Sequence, residues 1–285
     1  MAPKTELARD VVTQGAEALA AAGISSSLRE SRRLFALAAG SAGGVLDLTG
    51  PVPSAIRRRY WVLVGARRRR VPVPLLEGET GFLDFDLRTR PGVFVPRPET
   101  EELADRARSV LSSLPPQPRV LDLGTGTGAL AIALARQRAD ASVVAVDVSP
   151  RALSCARRNV RLHGLQDRVE VRRSDWFANV PETFHVIVGN PPYVRRGDLR
   201  ALEPEVGRYE PLRALDGGWD GLAAIREIVA SAPAHLFSGG TLLLEIGAGQ
   251  GATVLEFAGQ VPGWVETSVE RDWSNRERFF RGRCG

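Results

Sequence analysis

The chain has 285 residues, 44 % of them hydrophobic, enough for one large or two modest domains with a real core. No apolar run is long enough to span a bilayer, the polar start from Met1 to Asp10 lacks a signal-peptide core, and the two cysteines, Cys155 and Cys284, match no metal or redox spacing, so a soluble cytoplasmic protein without a disulfide framework is expected. The net charge of +5 would suit an acidic partner or nucleic acid, but Lys4 is the only lysine, and the preference for Arg, with abundant Ala, Gly and Pro, matches the codon bias of a high-GC genome, which accounts for Arg in place of Lys though not for the net charge.

Residues 5–22 read as a helix with Leu7, Val11, Ala18 and Leu19 on one side and Gly23 as a stop. A second helix is expected from Ser26 to Ala39, ending at Gly40, and a third from Pro53 to about Arg70. Short connections make these a small bundle, and nothing later repeats it, so it reads as a separate N-terminal domain. Arg57, Arg58 and Arg59 and the run Arg67 to Arg70 flank Tyr60 to Val64. The plainer reading is a helix with a solvated basic face; the sharper one is a docking surface for an acidic protein or RNA.

From residue 71 the character changes. Pro72 and Pro74 break the helix. Phe82 to Leu87 alternates apolar and acidic residues as a half-exposed strand does, and Val93-Phe94-Val95 is its expected hairpin partner across Arg90-Pro91-Gly92. The hairpin, as a linker over 79–95, leads into Pro96-Arg97-Pro98-Glu99-Thr100-Glu101 and a helix from Glu101 to about Leu114, with Thr100 as its cap.

Arg119 to Leu123 is a short buried strand that runs into Gly124-Thr125-Gly126-Thr127-Gly128 and then an apolar helix, Ala129 to Arg136. Strand, glycine loop and helix open a nucleotide-binding α/β unit, in which glycines let backbone approach a ligand closely. Ser142 to Val146 is the next strand, and Asp147 ends it, about 20 positions past the loop, where an acid accepts hydrogen bonds from ribose hydroxyls. Ser149 caps the following helix, with Pro150 at its first position and Gly164 after its last turn. A third strand, Arg168 to Arg172, leads to Ser174-Asp175-Trp176-Phe177, where Trp176 or Asp175 could sit beside an adenine ring. The glycine spacing is neither the G-x-G-x-x-G of dinucleotide enzymes nor a P-loop. A nucleoside without phosphates, such as S-adenosylmethionine, fits it better.

The fourth strand, Phe184 to Val188, stops at Asn190-Pro191-Pro192-Tyr193. Two prolines fix the chain and push the residues before them toward extended backbone. Asn190 is therefore held stiffly at the carboxyl edge of the sheet, where open α/β folds bind ligands. The Asn190 side-chain oxygen and the Pro191 carbonyl can accept both hydrogens of one planar NH2 group, orienting its nitrogen and favouring charge on it, while Tyr193 offers a face for the planar group. Arg195 to Leu215 reads as a loop over the site. A helix follows Gly217-Gly218-Trp219-Asp220-Gly221 to about Phe237, kinked at Pro233. Gly239-Gly240 then turns into a strand, Thr241 to Ile246, and Gly247 to Gly251 opens a further helix. Trp264 to Arg271 and Glu277 to Arg283 close the count at seven strands.

Four stretches now carry a resemblance: Phe94 to Glu101, Leu121 to Gly128, Ser174 to Phe177, and Asn190 to Val194, joined by Leu244 to Gly251 and Arg278 to Arg283. They resemble the release factor glutamine methyltransferases, the PrmC/HemK family. The resemblance covers 71–285 well and the N-terminal bundle in length and helical character. It implies an α/β fold, a seven-stranded Rossmann-like sheet whose last two strands form a hairpin, behind a small N-terminal helical bundle. The expected division is 1–78 for substrate recognition, 79–95 as hairpin linker and 96–285 as the S-adenosylmethionine-dependent methyltransferase domain. It implies methylation of the glutamine amide in the Gly-Gly-Gln loop of class 1 peptide-chain release factors. Carried over by position, Gly124, Thr125, Gly126, Thr127, Gly128, Asp147, Trp176 and Asn190 would bind S-adenosylmethionine. Asn190, Pro191, Pro192 and Tyr193 would hold the substrate amide, with Phe94 and Pro96 at the pocket wall. No metal, membrane or stable nucleic-acid partner is expected, and a monomer is. Asn-Pro-Pro-Tyr also serves enzymes that methylate N6 of adenine or N2 of guanine in nucleic acids. A related enzyme methylates a glutamine of a ribosomal protein. A non-enzymatic nucleoside- or RNA-binding scaffold is the third alternative.

Overall fold

The computed structural model describes residues 6–41 and 47–285; Met1 to Thr5, including Lys4 and the first residue of the expected opening helix, lie outside the described residues. The chain divides into two compact units, Met1–Gly78 and Glu79–Gly285.

In the first unit, α1 (Ala8–Ala20), α2 (Ser27–Ala39) and α3 (Ser54–Arg68) pack together, and α4 (Val73–Glu77) follows. Each long helix shows one apolar face, and Val11, Val12, Leu19, Leu34, Tyr60 and Val64 meet in a common core. Gly40 ends α2 at φ 74°, a left-handed stop that glycine adopts without strain. Pro72 does more than break a helix: its fixed φ starts α4, with Pro74 in the first turn. Several of the clustered arginines are engaged within the unit. Arg57 pairs with Glu6 at 2.9 Å, Arg67 is buried against Glu30, and Arg70 donates to the Gly23 carbonyl at 2.9 Å. Arg58 and Arg59 are exposed.

The second unit begins with a hairpin of β1 (Glu79–Phe82) and β2 (Phe85–Arg88). The expected turn at 90–92 is corrected here: the chain reverses at Leu83-Asp84, with Leu83 at φ 52°, and Val93 to Val95 form no strand. The odd spacing from Phe82 to Phe85 is the reason. It breaks the period of two within a single strand but puts both rings directly opposite each other across a two-residue turn, 5.7 Å apart and edge to face. Next, α5 runs over Pro98–Ser112. Pro98 at its start takes the helix back three residues further than expected, so Thr100 lies inside the first turn instead of capping it.

The remaining α-helices and strands are β3 (Arg119–Leu123), α6 (Ala129–Gln137), β4 (Ser142–Asp147), α7 (Pro150–Leu162), β5 (Val169–Arg173), β6 (Phe184–Gly189), α8 (Pro204–Tyr209), α9 (Ala223–Ser231), β7 (Leu236–Glu245), α10 (Gly251–Ala258), β8 (Trp264–Arg271) and β9 (Glu277–Cys284). Seven strands form one sheet in the order β5-β4-β3-β6-β7-β9-β8. The first five are parallel, and β9 runs antiparallel between β7 and β8, the closing hairpin. This is the seven-stranded α/β sheet expected from the sequence. β7 starts five residues early because Gly239 and Gly240, expected as a turn before it, lie within it, in the irregular stretch where its register against β6 shifts. The sheet is covered on both faces, by one core around α5, α6 and α7 and a second around α9 and α10. Strand order reverses between β3 and β6, and at such a switch point the carboxyl ends of neighbouring strands open a crevice.

Candidate active site

Two chain exits flank that crevice. Leu123 at the end of β3 is paired with Gly189 at the end of β6, so Gly124 and Asn190 leave adjacent strands at the same level. Both line one cavity of about 1140 Å³. That exceeds the roughly 300–1000 Å³ of a usual small-ligand pocket, leaving room for a nucleoside cofactor and an entering side chain. Thr125, Gly126, Thr127, Asp147 and Trp176 line it, as do Phe94, Pro96, Pro192 and Tyr193. Gly128 and Pro191 do not line it. Gly128, at φ 87°, is the residue from which α6 starts, and Pro191 is buried.

The glycine loop is shaped by its contacts. Gly124 stands at φ 69°, and a Cβ there would lie 3.6 Å from the Trp176 ring. Trp176 is itself held at φ 41°, with the Ser174 hydroxyl donating to its carbonyl at 2.8 Å. The Asp147 carboxylate accepts from the Gly126 N–H at 3.0 Å and the Ser149 N–H at 2.8 Å. Each carboxylate oxygen keeps lone-pair capacity for a further donor, such as a ribose hydroxyl. Burial pushes the Asp147 carboxyl up, against the pull of those N–H groups and of the Arg213 charge. Asn159, which sequence reasoning passed over as a helix residue, is fully buried. Its amide donates to the Thr127 carbonyl at 2.8 Å and exchanges bonds with the Arg88 backbone, so it clips the loop to β2.

The Asn-Pro-Pro-Tyr exit is held just as firmly. The Asn190 Nδ2 donates to Thr100 Oγ1 at 3.1 Å, and Thr100 Oγ1 donates to Glu245 Oε2 at 2.9 Å. The Tyr193 hydroxyl donates to Glu245 Oε1 at 3.1 Å. Burial raises the Tyr193 hydroxyl above its ordinary range, so it stays a donor. Gln250 donates to the Tyr193 and Gly221 carbonyls at 3.0 and 3.2 Å, fastening the exit to the glycine turn before α9. The segment expected to be a loop over the site contains α8 and lines the cavity with Leu202, Val206 and 209–216. It returns alongside the motif, where the Val194 N–H donates to the Leu215 carbonyl at 2.9 Å. Glu210 anchors it to Arg97 in an ion pair with a fully buried carboxylate.

Three acids escaped the sequence reading of the site. Asp122, Glu210 and Glu245 are buried, and burial raises each to about 7. Asp122 Oδ2 accepts from the Thr125 hydroxyl at 2.6 Å, bracing the loop from below. For Glu245 a signal existed: like Asp147, it is an acid ending an apolar strand at the ligand edge. Among the described residues, no group of three His, Cys, Asp or Glu side chains is placed to hold a metal ion, and no helix is long and apolar enough to cross a membrane.

Known proteins bear on this arrangement. Residues 84–203 match the family model described as Methyltransferase small domain. The chain is 42 % identical to the release factor glutamine methyltransferase of Cereibacter sphaeroides, over 97 % of this chain and 98 % of that protein. It is 43 % identical to the protein of the same description from Pseudomonas aeruginosa, over 81 % and 82 % of the two. Among solved structures, the 16S rRNA N2 G1207 methyltransferase of Thermus thermophilus is similar in fold, with a TM-score of 0.53 and 21 % identity over 73 % of this chain and 50 % of that one.

Proposed function

Because the chain belongs to the release factor glutamine methyltransferase family, we propose that its cavity is where the glutamine side chain of a release factor meets S-adenosylmethionine. The activity is S-adenosylmethionine-dependent methylation of the glutamine side-chain nitrogen in a peptide-chain release factor. The cofactor supplies a methyl group activated by a positively charged sulfur. The observation that carries the site assignment is the shared cavity: the Gly124 turn and Asn190 open into the same space from adjacent strands.

On this reading Gly124 to Thr127, Asp147 and Trp176 hold the cofactor, with Gly128 shaping the turn. Asn190 contributes on the cofactor side and offers its side-chain oxygen to the glutamine NH2. The proposed second acceptor is the backbone carbonyl of Pro191, a buried residue set between Asn190 and Pro192, which do line the cavity. Tyr193 and Pro192 pack against the amide, and Phe94 and Pro96 wall the entrance. An amide nitrogen is a poor nucleophile because its lone pair is delocalised. Two fixed acceptors orient it for in-line attack and stabilise the positive charge that develops. The nitrogen becomes acidic as the methyl arrives, and its proton leaves to water, with S-adenosylhomocysteine as the coproduct. We assign recognition of class 1 release factors to residues 1–78, on whose α3 Arg58, Arg59, Trp61 and Val62 are exposed. We expect a monomer that works without metal. A substrate that acts on the ribosome puts the enzyme in the cytoplasm.

The test is transfer of a labelled methyl group to a purified release factor, beside the same factor with its Gly-Gly-Gln glutamine replaced. Label on the first and none on the second is expected. Label on ribosomal protein, RNA or DNA instead would reassign the substrate.

A further inference from the structure

We propose that Glu245 is a positioning residue for methyl transfer, whose ionised carboxylate sets which way the Asn190 amide faces by way of the Thr100 hydroxyl. The inference rests on the reading that Asn190 offers its oxygen to the substrate nitrogen.

Glu245 ends β7, next to β6, and is 1 % exposed. As a carboxylate it can only accept. One oxygen takes the Thr100 hydroxyl proton at 2.9 Å and the other the Tyr193 hydroxyl proton at 3.1 Å. With its single proton committed to Glu245, Thr100 Oγ1 can only accept from its other neighbour. That neighbour is Asn190, 3.1 Å away, which must therefore present its NH2 to Thr100. The Asn190 oxygen is then the amide atom left to accept from the substrate. Thr100 is 5 % exposed, so water does not readily substitute in the chain.

Protonation of Glu245 undoes this order. A carboxylic acid that donates to Thr100 turns the Thr100 proton toward Asn190, which must then offer its oxygen to Thr100 and its NH2 to the substrate. Two NH2 groups then face each other, and the acceptor is lost. An acid that donates to Tyr193 instead leaves the buried hydroxyl proton of that residue without an acceptor. The groups facing Glu245 set where this happens. Arg278 on β9, its guanidinium 5.8 Å from the Tyr193 ring centre, favours the carboxylate. Burial, and the charge of Glu99 beside Thr100 on α5, oppose it. The balance holds Glu245 at about 7, so turnover rises with pH through that region as the carboxylate forms.

Glu245→Gln mimics the protonated state with little change of shape. Using the full-length enzyme and a release factor, kcat of this variant is expected to fall about 100-fold, the scale of losing one aligned polar contact to a transition state. KM for S-adenosylmethionine and for the release factor changes much less than kcat, and the rise in kcat with pH through about 7 disappears. Thr100→Ser keeps the relay and retains activity; Thr100→Val removes it and loses kcat as Glu245→Gln does. Wild-type kcat and pH profile in Glu245→Gln would overturn the relay. If Glu245→Gln does not fold, equal kcat in the Thr100→Val and Thr100→Ser variants would do so. A wild-type enzyme that transfers no label to the release factor removes the functional reading itself, and the relay with it. Transfer by wild type with undiminished transfer by the variants removes the relay alone.

Discussion

Leu123 and Gly189 face each other across the parallel strands β3 and β6, so closely that a Cβ on residue 189 would stand 3.0 Å from the Leu123 carbonyl oxygen and 3.3 Å from its Cβ. The next residues along the two strands are Gly124 and Asn190, the two sides of the crevice. Gly189→Ala therefore forces apart the strand ends that set the distance between cofactor turn and substrate acceptor. Overpacking of this kind costs about 1–3 kcal/mol. Thermal unfolding should shift down by several degrees, on the scale of roughly 2–4 °C per kcal/mol for a unit of this size. kcat should fall further than stability alone explains. A melting temperature and kcat equal to wild type would show that the glycine is not required there.

Asn190 tests the chemistry directly. Asn190→Ala removes the proposed acceptor and should lower kcat by about 100-fold or more while the melting curve stays near wild type. Asn190→Asp is the sharper variant, since it keeps an oxygen in place. It cannot donate to Thr100, so two carboxylates would compete for one hydroxyl proton beside Glu245. It should also be impaired, and more so than a simple exchange of acceptors predicts. Retention of wild-type turnover by either variant excludes the assigned role.

The strands that build the sheet were readable because parallel strands buried on both faces are continuous apolar runs closed by glycine or acid. Arg119 to Leu123 agrees to the residue, and the exits at Gly124, Asp147 and Asn190 follow from it. The 82–87 hairpin was misread because Phe82 and Phe85 meet across a turn, which a search for alternation along one strand cannot register. Thr100 looked like a helix cap for a similar reason. Its local pattern suits a cap, but Pro98 had already started the helix, and the hydroxyl serves a partner 145 residues away. Glu245 lies in one of the family-like stretches, yet nothing local to it marks a role, since its function depends on two side chains from distant elements. Contacts of that separation leave no periodic trace in a sequence.

In the N-terminal unit, Gly15 on α1 makes room for Tyr60 on α3. A Cβ at residue 15 would lie 1.6 Å from the Tyr60 hydroxyl oxygen, which is hydrogen bonded to Ser31 Oγ at 2.6 Å inside the core. Gly15→Ala should destabilise this unit by about 1–3 kcal/mol or more despite the better helix propensity of alanine. Tyr60→Phe removes the nearest clashing atom, leaving the ring carbon that carried it 2.6 Å from the added Cβ, and Ser31 keeps its bond to the Val12 carbonyl. The double variant Gly15→Ala/Tyr60→Phe should therefore recover part of the loss. Denaturant unfolding of the four proteins measures the coupling; additive effects would refute the steric account.

The buried acids Asp122, Glu210 and Glu245 give the fold an unusual pH dependence. Each stands at about 7 in the folded chain, against 3.8 for an ordinary Asp and 4.5 for an ordinary Glu. Between those values the folded state holds protons that the unfolded state has released, so stability falls as pH rises. The contribution is fully present below the unfolded values and is lost by the time pH passes about 7. Exposed acids act in the opposite direction: Asp140, held at about 2 by the Arg138 guanidinium and the Gln117 N–H, loses its contribution only as pH drops below 3.8. Lowering pH from about 8 to about 5 should thus raise the urea midpoint, and Glu245→Gln should flatten that slope by removing one of the three protons. Activity should move the other way over the same range, because the relay to Asn190 needs the carboxylate that the fold disfavours. A urea midpoint that falls steadily from about pH 8 to about pH 5 would contradict the upward shift of these three groups by burial.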